Sequence, residues 1–133
     1  MKVRIVTEIA FQFPNEVGIL AKTARTLSES GIGIKGMLNY SQGSTTQTYM
    51  VLSGDLEKAK KILTDQGVES VGQGNVVEVE LEGETGAIAD MAEKLAEANI
   101  NIANMYACEA PQGASVIYIS TNDDDKAVEV LGG

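Results

Sequence analysis

Residues 8–34 read EIAFQFPNEVGILAKTARTLSESGIGI, and residues 76–102 read VVEVELEGETGAIADMAEKLAEANINI. Laid over each other at an offset of 68, they coincide at Glu16/Glu84, Gly18/Gly86, Ala21/Ala89, Ala24/Ala92, Leu27/Leu95, Glu29/Glu97, Ile32/Ile100 and Ile34/Ile102. The match continues through Met37/Met105, Asp55/Asp123, Lys58/Lys126, Ala59/Ala127 and Leu63/Leu131, with similar pairs such as Ile9/Val77 and Val51/Ile119. Two unrelated amphipathic stretches have no reason to keep one register through strands, helices and turns, so the chain reads as a duplication.

Each copy resolves into the same elements. Ile9, Phe11 and Phe13 alternate with Glu8, Ala10 and Gln12, the period of a half-buried strand. Pro14, Asn15 and Gly18 make a turn. Leu20, Ala24 and Leu27 recur at helical spacing, and Ser30-Gly31 ends the helix. A second strand begins at Ile32 and Ile34 and runs to about Ser41. Gln42-Gly43-Ser44 turns it into a third, where Tyr49 and Val51 alternate. Asp55 reads as the N-cap of a second helix with Leu56, Ala59, Ile62 and Leu63 as its apolar stripe. Gly67 closes that helix, and a short fourth strand follows at about 68–71. The second copy repeats this order from about Asn75, with helices near 85–98 and 123–131.

The expected fold is therefore α+β: two ferredoxin-like βαββαβ units, each an antiparallel sheet with helices on one face. The boundary falls between residues 1–73 and 74–133. The second unit lacks its own last strand. Because Val3 takes the place of Val71 at the same offset, residues 3–6, or a second chain, are expected to fill that empty edge; a second unit that tolerates three strands is the alternative. Met37, Thr48 and Met50, with Met105, Val116 and Tyr118, are expected on the sheet face away from the helices, covered by another unit.

Composition excludes several functions. The formal net charge of −9, with scattered basic residues, argues against a nucleic-acid partner, which needs clustered Lys and Arg. No apolar run approaches the roughly 18 residues of a membrane span, and the N-terminus lacks the pattern of a signal peptide. A single cysteine, Cys108, fits a reducing compartment, so the chain is expected in the cytoplasm. The absence of histidine removes the commonest acid–base catalyst and transition-metal ligand, and Cys108 has no histidine to activate it. Asp123-Asp124-Asp125 lacks the alternation of a calcium loop and reads as a solvated helix start. No cofactor, metal or catalytic residue is implied, and the chain is not expected to be an enzyme.

The turns Asn15-Glu16-Val17-Gly18-Ile19-Leu20 and Gly83-Glu84-Thr85-Gly86-Ala87-Ile88, each ending its helix at an Ile-x-Ile strand start, resemble the ACT-domain pattern D-x-P-G-x-L … G-I-N-I. The resemblance covers nearly the whole chain, twice. The chain departs from it at Asn15 and Gly83, where the pattern has Asp, and at Val17 and Thr85, where it has Pro. The resemblance implies a regulatory protein that binds an amino acid or a similar small carboxylate at these two turns, between neighbouring ACT units; units interlocked through the missing strand favour a homodimer. The glycine has a physical purpose there: it exposes backbone N–H groups at a helix start, where free donors and the helix dipole attract a carboxylate. A ligand-independent assembly module on the same fold is the alternative.

Overall fold

The computed structural model describes residues 1–82, 85–109 and 114–132. Among the described residues, six strands and four helices follow in the order β1 (Lys2–Pro14), α1 (Ile19–Glu29), β2 (Gly33–Gln42), β3 (Thr45–Ser53), α2 (Leu56–Asp65), β4 (Glu69–Leu81), α3 (Ala87–Glu97), β5 (Ile102–Glu109), β6 (Ser115–Thr121) and α4 (Asp124–Gly132). The chain forms two compact units, Thr7–Gly74 and Met1–Val6 with Asn75–Gly133.

The first unit has hydrogen-bonded strand order β2-β3-β1-β4. Its core joins Ile9, Phe11 and Phe13 of β1 and Met50 of β3 to Leu27 of α1 and to Ala59 and Leu63 of α2, so both helices pack on one sheet face. The second unit has order β1-β4-β6-β5. Its core joins Val77, Val79 and Leu81 of β4 and Ile117 and Ile119 of β6 to Met91 and Leu95 of α3 and to Ala127 and Leu131 of α4. Val3 packs against that second core. The strand that the second repeat lacks is thus supplied by the opening residues of the chain. The two repeats, cut at 73/74, differ from the compact units in where residues 1–6 belong. The reason is that β1 and β4 are each 13 residues long and uninterrupted, so a fourth-strand register and a first-strand register run together in each.

The helix ends show why the sequence stops them there. Ile32 N–H donates to Leu27 O at 3.0 Å and Gly31 N–H to Ser28 O at 3.1 Å, a Schellman closure with Gly31 at φ 79°. The second copy makes the same closure with Asn99 at φ 59°, through Ile100 N–H to Leu95 O and Asn99 N–H to Ala96 O, both 2.9 Å. Asparagine tolerates this left-handed region better than other non-glycine residues. Asp55 caps α2 by accepting from Lys58 N–H at 3.1 Å, and Asp123 accepts from Lys126 N–H at 3.1 Å.

Strand register corrects one part of the sequence reading. Ile9 lies opposite Met50 and Phe11 opposite Thr48, so Met50 and Thr48 share the helix-covered face, where both are fully buried. Met37 lies opposite Met50, and Met105 opposite Ile119, so these two also point to the helix side. Tyr118 and Val116, opposite Glu78 and Glu80, do face away. The split between Thr48 and Met50 on one side and Val116 and Tyr118 on the other reflects a break in the repeat: Met37 pairs with Met50 but Met105 with Ile119, so the third strands correspond at an offset of 69. The offset returns to 68 at the caps Asp55 and Asp123. A slip of one residue sends every side chain of a strand to the opposite face. Val51 and Ile119 are therefore not equivalents. Tyr49 and Tyr118 are, and both face away from the helices.

Candidate ligand-binding turns

The first turn is built between the end of β1 and the start of α1. Asn15 anchors it to the β2–β3 hairpin: its backbone N–H donates to Ser44 O at 2.9 Å and its Nδ2 to Gly43 O at 3.1 Å. Glu16 N–H donates to Pro14 O at 2.8 Å, and Val17 stands fully in solvent. Gly18 then takes φ 90° and caps α1 from the left-handed region. Among the described residues no side chain caps this helix start, its first turn holds no acidic residue, and a Cβ on Gly18 would meet nothing within 4 Å. The N–H groups of the first helical turn are consequently open to an approaching acceptor. Ile19 and Leu20 turn their side chains to the core, so they can serve a ligand only through their backbone.

The second turn repeats the cap. Gly86 sits at φ 94° at the start of α3, also without a side-chain cap and with open space over its Cα. Asp90 N–H donates to Gly86 O at 2.9 Å, as Lys22 N–H donates to Gly18 O at 3.0 Å, so the two helices start in the same geometry. Thr85 is exposed, Ala87 packs against the core and Ile88 is largely exposed. Gly83 and Glu84 lie outside the described residues.

A cleft accompanies each helix start. The first, about 210 Å³, is lined by Phe13, Pro14, Ile19, Lys22, Thr23, Gln66, Gly67 and Val68. The second, about 470 Å³, includes the positions equivalent to four of these, namely Leu81, Glu82, Ala87 and Asp90, and adds Met1, Thr85, Glu93, Lys94 and Glu97. Lys22, Asp90 and Gln66 line these clefts beside the expected turn residues. The first two were detectable as mismatches inside an otherwise matching repeat. Gln66 had no signal in the sequence: its Nε2 donates to Thr26 Oγ1 at 2.6 Å, and its Oε1 is buried with no partner among the described residues. Leaving a buried acceptor unpaired costs about 1–3 kcal/mol.

The remaining chemistry is structural. Asp124 accepts from Thr121 N–H and Thr121 Oγ1, at 3.3 and 2.6 Å, so the acidic run is taken up in holding the start of α4. Among the described residues no group of three or more Cys, Asp or Glu side chains is placed to hold a metal ion. None of the described helices is long and apolar enough to cross a membrane.

Residues 5–132 match the family model for the ACT domain pair. The chain belongs to this family. Its fold is similar to that of protein BT0572 from Bacteroides thetaiotaomicron, with a TM-score of 0.87 and 22% identity over 98% of this chain and 88% of that one. It is also similar to the regulatory subunit of aspartate kinase from Thermus thermophilus in its ligand-free form, with a TM-score of 0.70 and 17% identity over 99% of this chain and 96% of that one. Aspartokinase alpha and beta subunits give a TM-score of 0.68 at 18% identity, over 98% and 95% of the respective chains. At these identities the likeness concerns the fold. No curated protein matched the sequence. As an ACT domain pair, the chain is of the regulatory, small-molecule-binding type.

Proposed function

We propose that this ACT domain pair is a non-catalytic regulatory protein of the cytoplasm that binds an amino acid at its glycine-capped turns and acts as a homodimer. One observation carries the reading: Gly18 and Gly86, at φ 90° and 94°, each open a helix start that no described side chain caps, with free space above it. Such a start offers N–H donors and the positive end of a helix dipole to a carboxylate. The aspartate kinase regulatory subunit with the same fold supports an output through a partner or through assembly. The single cysteine supports a reducing compartment.

The test is a thermal-shift screen of the full chain against each standard amino acid. A ligand at about 100 times its dissociation constant adds about 2.7 kcal/mol of stability. If none of them raises the melting temperature, the amino-acid reading falls.

A ligand-independent assembly module has its own supporting observation. β2 and β5 are the last strands of their units' orders, and they carry exposed Ile34, Met37 and Tyr40, and Met105. Exposed apolar residues on an unpaired strand edge favour pairing with another chain. Sedimentation of the protein without amino acids separates the two: a stable dimer that no amino acid alters fits the assembly module.

A further inference from the structure

We propose that the two glycine-capped turns have opposite selectivity, so that the chain takes one amino acid, at the first turn, with Lys22 as the residue that admits its carboxylate and Asp90 as the residue that refuses one at the second. The inference rests on the amino-acid reading above and adds to it which turn is used and why.

Lys22 and Asp90 occupy the same position, four residues after the capping glycine, as their N–H bonds to Gly18 O and Gly86 O show. Both side chains are exposed, so neither charge is fixed by packing. At the start of α1 the first turn holds no acidic residue and no side chain among the described residues caps it. At the start of α3, Asp90 already supplies a negative charge in the first turn. A fixed carboxylate there answers the dipole and repels a second carboxylate.

The surroundings amplify the difference. Among the described residues, the second cleft gathers Glu82, Asp90, Glu93 and Glu97 against one basic side chain, Lys94, and the Met1 ammonium group. Among the described residues Lys22 is the only charged residue lining the first cleft, and Arg25, at the place of Glu93, lies outside that lining. Like charges facing a ligand cost affinity and opposite charges gain it, so the two clefts sort the same carboxylate differently. The first cleft also holds an independent sign of a missing partner. Gln66, one of its lining residues, has an unpaired buried Oε1. Its Nε2 is spent on Thr26 Oγ1, which itself donates to Lys22 O at 2.9 Å. A carboxylate near Lys22 is one end of a zwitterionic α-amino acid; Gln66 Oε1, buried in this structure, becomes an acceptor for its ammonium end when the amide turns into the cleft.

The experiment is ¹⁵N–¹H correlation spectroscopy of the labelled full chain during titration with each standard L-amino acid in turn. The amides of Ile19, Leu20 and Ala21 are expected to move while those of Ala87, Ile88 and Ala89 stay in place. Lys22→Asp is expected to weaken binding by about tenfold or more, and Lys22→Arg to keep it within a few-fold. Asp90→Lys is expected to bring the α3 amides into the response. Equal movement at both turns, or movement at α3 alone, overturns this proposal and leaves the amino-acid function standing. Unchanged affinity in Lys22→Asp, or a silent α3 turn in Asp90→Lys, overturns the roles of those residues. If no amino acid moves either turn, both readings fall together.

Discussion

Arg4 Nε donates to Glu78 Oε1 at 2.7 Å, joining β1 to β4 on the sheet face away from the helices. The Glu78 carboxylate is 3% exposed and also accepts from the Tyr118 hydroxyl at 2.9 Å. Tyr118 stacks obliquely on Tyr106, with ring centroids 5.2 Å apart. At an offset of 68, Arg4 and Glu78 correspond to Gly72 and Ala10, which also meet: a Cβ on Gly72 would lie 3.7 Å from Ala10 O. The backbone relationship is repeated, and only one copy uses it for a buried polar cluster.

Glu78→Ala strands the buried Tyr118 hydroxyl and removes the acceptor for Arg4. We expect a loss of about 1–3 kcal/mol of stability, read as a lower urea midpoint with an unchanged slope. Arg4→Met, which keeps the side-chain stem, should have the smaller effect because Arg4 is mostly in solvent. A neutral Glu78→Ala result would show that the cluster adds nothing net.

Alkaline pH should weaken the fold through the same cluster. Burial, and then the bond to Glu78, raise the Tyr118 pKa above its ordinary 10.0. Below that value both the folded and unfolded chains hold the proton, and the contribution is complete. Above it the unfolded chain releases its proton first, so stability falls with rising pH by at most about 1.4 kcal/mol per pH unit for such a tyrosine. Burial and Tyr40 raise Tyr49 in the same direction, so part of the slope remains without Tyr118. The stability gap between the unmutated protein and Tyr118→Phe should shrink above pH 10. A constant gap in denaturation measured from pH 8 to 11 would contradict this.

Removing residues 1–6 should destabilise the unit they complete. Val3 packs against its core, within 3.5 Å of where a Cβ on Gly132 would sit. The expected loss is several times the roughly 0.5 kcal/mol of an ordinary surface change. An unchanged melting temperature after the deletion would show that β1 is dispensable there.

Asn99 is the described non-glycine residue at positive φ, and its position is the helix stop that Gly31 provides in the first copy. Asn99→Ala should cost about 1 kcal/mol, because a Cβ crowds the backbone in the left-handed region and alanine has no side-chain amide to offset it. Asn99→Gly should stay within about 0.5 kcal/mol of the parent, its relief of strain opposed by a freer unfolded chain. Equal melting temperatures for the alanine and asparagine forms would sink the argument.

The sequence alone determined the duplication, the βαββαβ order, the glycine-capped turns and the Asp55 cap. These are local: apolar period, turn chemistry and capping are written within a few residues of one another, and two copies in register reinforce each signal. It also contained the key to the strand exchange, since Val3 falls at the place of Val71, though it left open whether these residues or a second chain would fill the edge. Tertiary structure decided the rest. Which face Met50 and Thr48 occupy depends on the pairing of β3 with β1, and a single extra residue in the second hairpin reverses the correspondence of whole strands. Glu78, Tyr118 and Arg4 lie far apart in the chain, and nothing local marks them as partners. Gln66 is likewise ordinary in sequence, and only packing buries its oxygen without a donor. Local patterns fix what each segment becomes, whereas register and long-range burial, which depend on all segments at once, fix which side chains meet.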